Sequence, residues 1–312
     1  MRAVTIRDKQ LSVEDHPDPT PGAGEVLVRV KAAGINGADM MQRAGFYPAP
    51  PGAPQDIPGL ELAGEVAAVG DGVMRFKPGD RVMSIVAGGG QAELAVVHER
   101  ILMPVPERLS WTEAGGVPEV FTTAHDAIFT QAGLKPGEHL LVHGGAGGVG
   151  TAAIQIARAS GALVTATVRN PDVRPQVADL GAEPIDPENF GEYGPFDVIL
   201  ELVGGPNLPA DVAALNTLGR IVVIGIAAGA KGEVNLRELM MKRGTIRSST
   251  LRPRPLEEKA LTARAMERSI LPLLATGEVR VPIADTYPLE EAVAAYDRFA
   301  AGSKLGKILL EM

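Results

Sequence analysis

The sequence predicts an α/β protein in which a doubly wound parallel sheet is joined to a second, barrel-like β domain. The chain has 312 residues, which is enough for two domains. Residues 1–119 contain short strand-like runs that are broken by Gly and Pro, and residues 120–251 alternate apolar strands with helical patterns. Short strands at this spacing are typical of barrels, whereas alternation with helices indicates a parallel sheet.

The first 119 residues hold the strands of the barrel-like domain. The runs are EVLVRVKAAGI, LAGEVAAVG, RVMSIVA and QAELAVV. Between the first and the second of them lies GFYPAPPGAPQDIPG, whose density of Pro and Gly indicates a loop. Its length favours a functional loop over a simple connector.

Residues 120–251 hold the parallel sheet. The strand candidates are HLLVH, LVTATV, EPID, FDVILELVG and RIVVIGIA, and GTIRSSTL would make a sixth. The helical pattern NLRELMMKRG has Asn235 as its N-cap and Gly244 as its stop.

Residues 252–312 complete the first domain. Helices are expected at about 256–275 and 289–301, followed by the closing strand GKILLEM. A single strand cannot form a domain, so this strand is expected to return to the N-terminal part of the chain. The predicted domains are therefore 1–119 with 252–312, and 120–251.

Composition excludes several classes of function. The net charge is −8, so no basic surface is expected for nucleic acid or an anionic membrane. The chain has no Cys and no His pair at metal-ligand spacing, and His125 and His143 are expected to be packed and neutral. There is no apolar run of membrane-spanning length and no apolar signal region. We therefore expect a cytoplasmic protein with no metal, no nucleic-acid partner and no membrane partner.

A glycine-rich stretch, GGAGGVG, stands between an apolar strand and a helical pattern. Gly145, Gly147 and Gly150 have the G-x-G-x-x-G spacing, in the strand–helix–strand setting in which such a loop binds a dinucleotide. Glycines permit a tight turn and let backbone amides approach a pyrophosphate. The alternative is a glycine-rich turn without a ligand. The expected contacts come from Gly145, Ala146, Gly147, Gly148, Val149 and Gly150.

The residues after the next strand indicate which dinucleotide is bound. An NAD site usually has Asp or Glu there for the ribose 2′-hydroxyl, whereas an NADP site supplies cations. This chain has Arg169 and Asn170 at that point, with Arg174 in support. The arginines favour the 2′-phosphate of NADPH; the alternative is that both are solvated surface charges.

One run of the chain, GEHLLVHGGAGGVGTAAIQIAR from Gly137 to Arg158, carries a dense family signature. Further blocks are AAGINGADMMQRAGFYPAPPG, IPGLELAGEV, FKPGDRV, VPEVFTTAHDAI, MKRGTIRSSTLR and GKILLEM. Through these blocks the whole chain resembles the zinc-independent quinone oxidoreductases of the medium-chain dehydrogenase/reductase superfamily, most closely their tumour-suppressor-inducible branch. The resemblance implies a Rossmann doubly wound parallel-sheet domain plus a GroES-like β-barrel catalytic domain.

The resemblance also implies that zinc is absent. The zinc alcohol dehydrogenases of the superfamily have Gly-His-Glu where this chain has Gly59, Leu60 and Glu61, and Cys where it has Asn36. A leucine and an amide cannot replace an imidazole and a thiolate around zinc. Glu61 is expected to have a structural or hydrogen-bonding role.

The resemblance implies further site residues. Asn36, at the lost zinc-ligand position, and Tyr47, in the loop over the substrate pocket, are the catalytic candidates. The alternatives are a turn residue for Asn36 and a packing aromatic for Tyr47. Contacts with the cofactor are implied for Thr123, Gly204, Gly225 and Lys304. Their alternatives are a capping threonine, glycines that only turn the chain, and a solvated lysine.

The implied activity is the NADPH-dependent reduction of quinones. A quinone needs little more than stacking on the nicotinamide and a donor to its carbonyl, whereas an αβ-unsaturated carbonyl needs a preorganised donor for the developing charge. Two alternatives stay open: an enoyl or alkenal double-bond reductase of the same fold, and a non-catalytic NADPH-binding sensor. The family analogy favours a homodimer. The sequence leaves open the physiological quinone or enone, one-electron against hydride transfer, and the strictness for NADPH over NADH.

Overall fold

The computed structural model describes residues 1–312 and divides into two compact units. The first unit comprises Met1–Thr122, Leu251–Gly302 and Lys307–Met312. The second unit comprises Thr123–Thr250 and Ser303–Gly306. The sequence-based division assigns residues 303–306 to the other domain; they cluster with the second unit because the Gly306 amide donates to the Ala146 carbonyl at 2.8 Å.

The elements follow in chain order. The strands are β1 (Arg2–Arg7), β2 (Gln10–Asp15), β3 (Glu25–Ile35), β4 (Glu61–Val69), β5 (Arg81–Ile85), β6 (Leu94–His98), β7 (Met103–Pro104), β8 (His139–Val142), β9 (Leu163–Thr167), β10 (Glu183–Ile185), β11 (Phe196–Glu201), β12 (Leu215–Val223), β13 (Thr245–Ser248), β14 (Ile283–Pro288) and β15 (Lys307–Glu311). The α-helices are α1 (Gly37–Arg43), α2 (Trp111–Gly115), α3 (Pro118–His125), α4 (Gly148–Ala159), α5 (Arg174–Asp179), α6 (Leu208–Ala214), α7 (Leu236–Lys242), α8 (Leu256–Ser269), α9 (Leu271–Thr276) and α10 (Ala292–Ala301). A π-helical turn spans Asp126–Gln131, and 3₁₀ turns span Pro171–Val173, Phe190–Tyr193, Gly205–Asn207 and Leu289–Glu291. None of the helices combines the length and the apolar character that a bilayer crossing requires.

The first unit is built on a seven-stranded sheet with the order β14-β15-β3-β4-β5-β7, in which β6 also pairs with β3. Along β3 the side chains alternate, so that Val26, Val28 and Val30 are buried while Arg29 is exposed. A period of two buries one face of a strand, and this face forms part of the core. Strand β15 pairs antiparallel with β3, so the closing strand returns to the N-terminal part of the chain, as the sequence predicts.

The second unit contains a six-stranded parallel sheet with the order β10-β9-β8-β11-β12-β13. Counted within the unit, this is strand order 3-2-1-4-5-6, the order of doubly wound dinucleotide-binding folds. The order reverses between β8 and β11, and in such folds ligands bind outside the carboxyl ends of the strands at this switch point. The turns after β8 and β11 therefore border the expected ligand site.

The helix expected at 256–275 consists of two helices. Helix α8 ends at Ser269 and α9 begins at Leu271, with Ile270 between them. Pro272 has no N–H, and its ring would clash with the preceding turn of a continuous helix. The proline therefore separates the two helices, although the apolar pattern continues through it.

Helix α7 begins as the sequence predicts and ends one residue early. The Asn235 side chain accepts from the Glu238 amide, which makes it the N-cap. The expected stop is Gly244, but the left-handed residue at the C-terminus is Arg243, with φ 50°. Gly244 follows it and packs too closely against Leu215 and Leu239 for a side chain.

Candidate functional site

The glycine loop lies between β8 and α4, at the switch point of the second unit. Gly147 is the N-cap of α4, with φ −74° and ψ 166°, and its first turn is not capped by a side chain. Amides in the first turn of a helix have no carbonyl partner within the helix. At this helix end they belong to Gly148, Val149 and Gly150, and together with the helix dipole they favour an anionic group.

Three glycines of the loop have different structural requirements. A Cβ at Gly145 would lie 2.7 Å from the Cβ of Ala166, and a Cβ at Gly150 would lie 2.4 Å from the Gly144 carbonyl oxygen. These glycines allow the loop, helix and strand to pack closely. A Cβ at Gly147 would meet nothing closer than the Gly144 oxygen, at 3.4 Å. The fold does not require glycine at 147, and the open space beside it fits the close approach of a pyrophosphate.

The segment Ser303–Gly306 is hydrogen-bonded to the glycine loop. The Gly306 amide donates to the Ala146 carbonyl at 2.8 Å, and Gly306 forms an isolated parallel bridge with Gly147. The Lys304 ammonium donates to the Gly306 carbonyl at 2.7 Å. Lys304 thus belongs to a segment that is bound to the loop, and its contact with a cofactor phosphate stays a prediction.

The residues after β9 have different environments. Arg169 is exposed, and its guanidinium forms no hydrogen bond or ion pair within the protein. The Asn170 side chain caps the following 3₁₀ turn. Arg174 donates to the Val168 carbonyl at 3.0 Å and pairs with Asp186 at 2.8 Å. Arg169 is therefore the arginine whose charge is available, while Asn170 and Arg174 shape the turn.

Three other cofactor candidates have packing roles of their own. Gly204 has φ 135°, and a Cβ there would lie 2.6 Å from the Gly229 carbonyl oxygen. A Cβ at Gly225 would lie 2.1 Å from the Leu202 carbonyl oxygen. Thr123 is buried in the interior of α3, so it is not a capping threonine. Packing alone accounts for both glycines, and the cofactor contacts of all three residues stay predictions.

A buried polar cluster lies at the turns after β8 and β11. We call His143, Glu201 and Asp211 the His143 cluster; each is at most 1% exposed. His143 Nε2 lies 2.8 Å from an Asp211 oxygen and 3.8 Å from a Glu201 oxygen. Burial raises the pKa of Asp211 to about 6, although the hydrogen bond with His143 acts in the opposite direction. His143 is packed, as the sequence predicts, but it has two carboxyl neighbours.

The first unit contains a buried ion pair beside Asn36. Lys307 Nζ donates to Glu61 Oε1 and to Asn36 Oδ1, each at 2.6 Å. The Asn36 amide nitrogen donates to the same Glu61 oxygen at 2.9 Å. Gly34 makes room for this arrangement, because a Cβ there would lie 2.1 Å from Glu61 Oε1. Glu61 thus has the hydrogen-bonding role expected of it, and Asn36 is held in one orientation with one amide hydrogen left to donate.

Two carboxyl groups near this ion pair have raised pKa values. The Asp39 carboxylate accepts from the backbone N–H of Asn36 at 2.8 Å and from the backbone N–H of Gly59 at 3.0 Å. Burial nevertheless raises the pKa of Asp39 to about 6. Burial is the larger cause of the raised pKa of Glu119 and the negative charge of Glu61 is the second; together they bring the pKa to about 8. Glu119 is therefore mainly protonated at neutral pH.

Glu119→Gln is expected to flatten the dependence of stability on pH. Between its ordinary pKa of 4.5 and its folded value of about 8, Glu119 holds a proton that the unfolded chain releases. Its contribution to stability is therefore complete below this window and is lost as pH rises through it. Between pH 5 and pH 8 the wild type should lose on the order of 2 kcal/mol more unfolding free energy than the variant, a value reduced because the side chain is only partly buried.

Urea unfolding of both proteins at the two pH values measures this difference. Glu107→Gln removes a carboxylate that is exposed in the same unit, and it should behave like the wild type. Parallel pH profiles for wild type and Glu119→Gln would contradict the raised pKa.

The loop that contains Tyr47 is held by a buried arginine. Arg252 is 4% exposed and donates to the Tyr47 and Ala87 carbonyls, each at 2.8 Å, and to the Gln42 side chain at 2.6 Å. The guanidinium carbon lies 5.1 Å from the Tyr47 ring centroid, in a cation–π contact. Tyr47 is thus packed, which was its alternative role, and its action on a substrate stays a prediction.

The residues at the lost zinc-ligand positions do not fit zinc. Leu60 is buried and has no lone pair to offer. The Asn36 carbonyl oxygen already accepts from the Lys307 ammonium at 2.6 Å. Structural and catalytic zinc ions in proteins take Cys, His, Asp or Glu ligands, and neither residue belongs to that set.

The sequence does not predict the roles of Lys307 and Arg252. The sequence does hint at the role of Lys307, which stands in the closing strand next to the apolar run ILL. A lysine in such a run is expected to be buried, and a buried lysine needs a partner. The sequence gives no such hint for Arg252. It is one of two arginines in RPRP, and nothing in the sequence distinguishes it from Arg254. The carboxyl groups of the His143 cluster were also missed, because 68 residues separate His143 from Asp211.

Two family models match the chain. The one described as the alcohol dehydrogenase GroES-like domain matches residues 22–107, and the one described as zinc-binding dehydrogenase matches residues 148–267. A quinone oxidoreductase of Rattus norvegicus is 34% identical over 305 residues, which cover 94% of this chain and 90% of the relative. A quinone oxidoreductase of Pseudomonas aeruginosa is 33% identical, with coverage of 96% and 95%. The solved structure of a mycobacterial protein complexed with NADPH has a TM-score of 0.88 at 27% identity and covers 100% of both chains.

Proposed function

Because the chain belongs to the quinone oxidoreductase family of the medium-chain dehydrogenase/reductase superfamily, we propose that it is an NADPH-dependent, zinc-independent reductase of quinones. The observation that carries the proposal is the open space beside Gly147, at the N-terminus of α4 and at the switch point of the parallel sheet. The curated relatives named quinone oxidoreductase support the class of substrate.

Each unit contributes its own part to this activity. In the second unit the amides that follow Gly147 would bind the pyrophosphate, and the bound dinucleotide would supply a hydride. In the first unit Asn36, fixed by Lys307 and Glu61, has one amide hydrogen free to donate to a substrate carbonyl. An amide is not an acid, so we assign Asn36 the orientation and polarisation of the carbonyl and not proton transfer. Tyr47 would close the loop side of the substrate pocket.

The preference for NADPH over NADH is assigned to Arg169. Its guanidinium is exposed and uncommitted, at the position where an NAD site would have a carboxylate. Arg169→Ala should weaken NADPH binding about 10-fold or more and leave NADH binding nearly unchanged, since a charge-assisted hydrogen bond contributes roughly 1.5 to 3 kcal/mol. Titration of both nucleotides by fluorescence measures the ratio of the two dissociation constants.

Arg247→Ala serves as the matched control, because Arg247 belongs to the same unit, and its guanidinium donates to the Gln131 carbonyl at 3.0 Å. Equal loss of NADPH and NADH affinity in Arg169→Ala would show that Arg169 does not bind the 2′-phosphate.

The reaction itself is tested by following NADPH absorbance with chelator-treated protein, with an ortho-quinone and an alkenal offered in parallel. Faster consumption with the quinone supports the proposal. Consumption with the alkenal alone would replace it by a double-bond reductase. Tight binding of NADPH without turnover of either compound would favour a sensor.

We also propose a homodimer. Strand β13 is the outer strand of the parallel sheet, so its second edge has unpaired backbone groups. The preceding helix α7 exposes three apolar side chains, Leu236 at 67%, Met240 at 75% and Met241 at 76%. An edge strand beside an exposed apolar face favours pairing with a second copy. Light scattering should give twice the chain mass of 32.6 kDa, and the monomer mass would contradict the dimer.

A further inference from the structure

The His143 cluster lies where the two turns of the expected dinucleotide site begin. His143 directly follows β8, Thr167 is the last residue of β9, and Glu201 is the last residue of β11. These are the carboxyl ends of three neighbouring parallel strands. Asp211, on α6, contacts His143. The cluster and Thr167 together therefore join three strands and a helix at the switch point.

One set of hydrogen bonds runs from the cluster to the glycine loop. The Asp211 carboxylate can only accept, so His143 Nε2 carries the hydrogen of the 2.8 Å contact between them. In the neutral ring His143 Nδ1 then accepts from the Thr167 hydroxyl, at 3.3 Å. The Thr167 oxygen in turn accepts from the Gly144 amide, at 3.1 Å. Each hydrogen bond in this series is donated towards Asp211. The donor farthest from Asp211 is the Gly144 amide, the first backbone amide of the glycine loop.

A second set of hydrogen bonds runs to the turn after β11. Glu201 Oε1 accepts from the amides of Val203 and Gly204, the latter at 2.7 Å. Glu201 Oε2 accepts from the Asn207 side chain at 2.9 Å. The carboxylate therefore fixes the backbone of the turn in which Gly204 has φ 135°.

We propose that the His143 cluster, together with Thr167, positions the two backbone turns that bind the dinucleotide, and that His143 is its central positioning residue. This inference rests on the proposed function, because it takes the glycine loop and the Gly204 turn as the cofactor contacts. None of these side chains needs to touch the nucleotide. The cluster acts on binding by keeping the loop in its binding conformation before the cofactor arrives.

A metal ion is a weaker occupant of the same place. One ligand atom from each of His143, Glu201 and Asp211 lies within 4.8 Å of the others. The Glu201 oxygens already accept three hydrogen bonds, and His143 Nε2 is directed at Asp211. The second Asp211 oxygen is buried without a hydrogen-bond partner, so it is the one carboxylate oxygen of the cluster still free to bind a metal. The Phe190 ring packs against the imidazole, with the ring centroids 4.7 Å apart and the ring planes at 85°. The hydrogen bond between His143 and Asp211 needs no rearrangement, whereas a metal ion bound to all three residues would have to displace the existing hydrogen bonds.

Thr167→Val tests the connection to the loop. Valine keeps the shape of threonine and removes the hydroxyl that joins His143 to the Gly144 amide. We expect the dissociation constant of NADPH to rise about 5- to 10-fold, the effect of losing roughly one hydrogen bond. In the protein without nucleotide, hydrogen exchange at the Gly144 amide should become faster by a similar factor.

Thr165→Val is the matched control. Thr165 lies on the same strand, two residues before Thr167 and therefore farther from the glycine loop. It is 1% exposed, and its hydroxyl is hydrogen-bonded to His139 Nε2 at 2.9 Å. Both variants lose a threonine–histidine hydrogen bond, and Thr167→Val also leaves the Gly144 amide without its partner, so Thr167→Val should lose the more stability of the two. Only Thr167→Val should change NADPH binding and exchange at Gly144. Equal NADPH affinities for the two variants would overturn the inference.

Two substitutions of His143 separate its contact with Thr167 from its contact with Asp211. Asparagine places an amide oxygen near the former Nδ1 and can still accept from Thr167, whereas glutamine places an amide nitrogen near the former Nε2 and can still donate to Asp211. Positioning of the loop through Thr167 predicts tighter NADPH binding by His143→Asn than by His143→Gln. The reverse order would overturn it. If the wild type itself does not bind NADPH, the proposed function fails, and exchange at Gly144 in the threonine pair still decides whether the cluster holds the loop.

Discussion

Gly147→Ala is expected to fold as well as the wild type and to lose NADPH affinity by on the order of 100-fold, or ~2.7 kcal/mol. The added methyl group meets no atom of the protein closer than 3.4 Å, and the φ of −74° suits alanine. It would instead occupy the space through which a pyrophosphate reaches the helix amides. Thermal unfolding and NADPH titration of the same preparation measure the two effects separately.

Two other glycines of the same unit provide the contrast. Gly150→Ala should reduce stability as well as binding, because its Cβ would lie 2.4 Å from a carbonyl oxygen of the loop. Gly191→Ala, in the same unit with nothing within 4 Å of the new Cβ, should change neither. Unaltered NADPH affinity in Gly147→Ala would show that the pyrophosphate does not approach there, and the dinucleotide assignment would lose its main support.

Lys307→Met is expected to cost about 3 to 5 kcal/mol of unfolding free energy, the usual penalty for leaving one member of a buried ion pair alone. Glu61 is fully buried, and its Oε1 would lose the 2.6 Å contact with the ammonium group. Asn36 would lose its 2.6 Å contact with the same group. Denaturant unfolding followed by the fluorescence of Trp111, the single tryptophan and part of the first unit, measures the change.

The double variant Lys307→Met with Glu61→Gln should recover part of this loss, since no buried charge is left unpaired. Lys77→Met, which removes an exposed lysine from the same unit, should change stability by less than about 0.5 kcal/mol. A double variant as unstable as the single one would mean that packing of the lysine stem, and not its charge, accounts for the loss.

The elements recoverable from the sequence are those whose signal is local. The apolar runs of the parallel strands and the spacing of Gly145, Gly147 and Gly150 each lie within about ten consecutive residues, so pattern alone predicts them. Asn235 was recognisable as an N-cap for the same reason. The helix break at Pro272 was also local, but the apolar pattern that continues through it concealed the boundary.

The polar networks were not recoverable because their partners are far apart in the chain. Lys307 bonds to a carboxylate 246 residues earlier, and Arg252 bonds to a carbonyl 205 residues earlier. Composition gives no means of choosing the partner of Lys307 among 38 acidic residues, or that of Arg252 among the backbone carbonyls. Arg174 is the converse case, because its spacing favours a phosphate contact and the sequence does not reveal that its guanidinium pairs with Asp186; its contact with a cofactor phosphate stays a prediction.

The position of β15 has a consequence for how the protein is made. This strand lies between β14 and β3, so the main sheet of the first unit lacks an interior strand until residues 307–311 have been synthesised. Residues 123–250 of the second unit contain its whole parallel sheet and emerge much earlier. The parallel sheet can therefore fold before β15 has been synthesised, whereas the main sheet of the first unit must wait for β15 with its N-terminal strands already exposed.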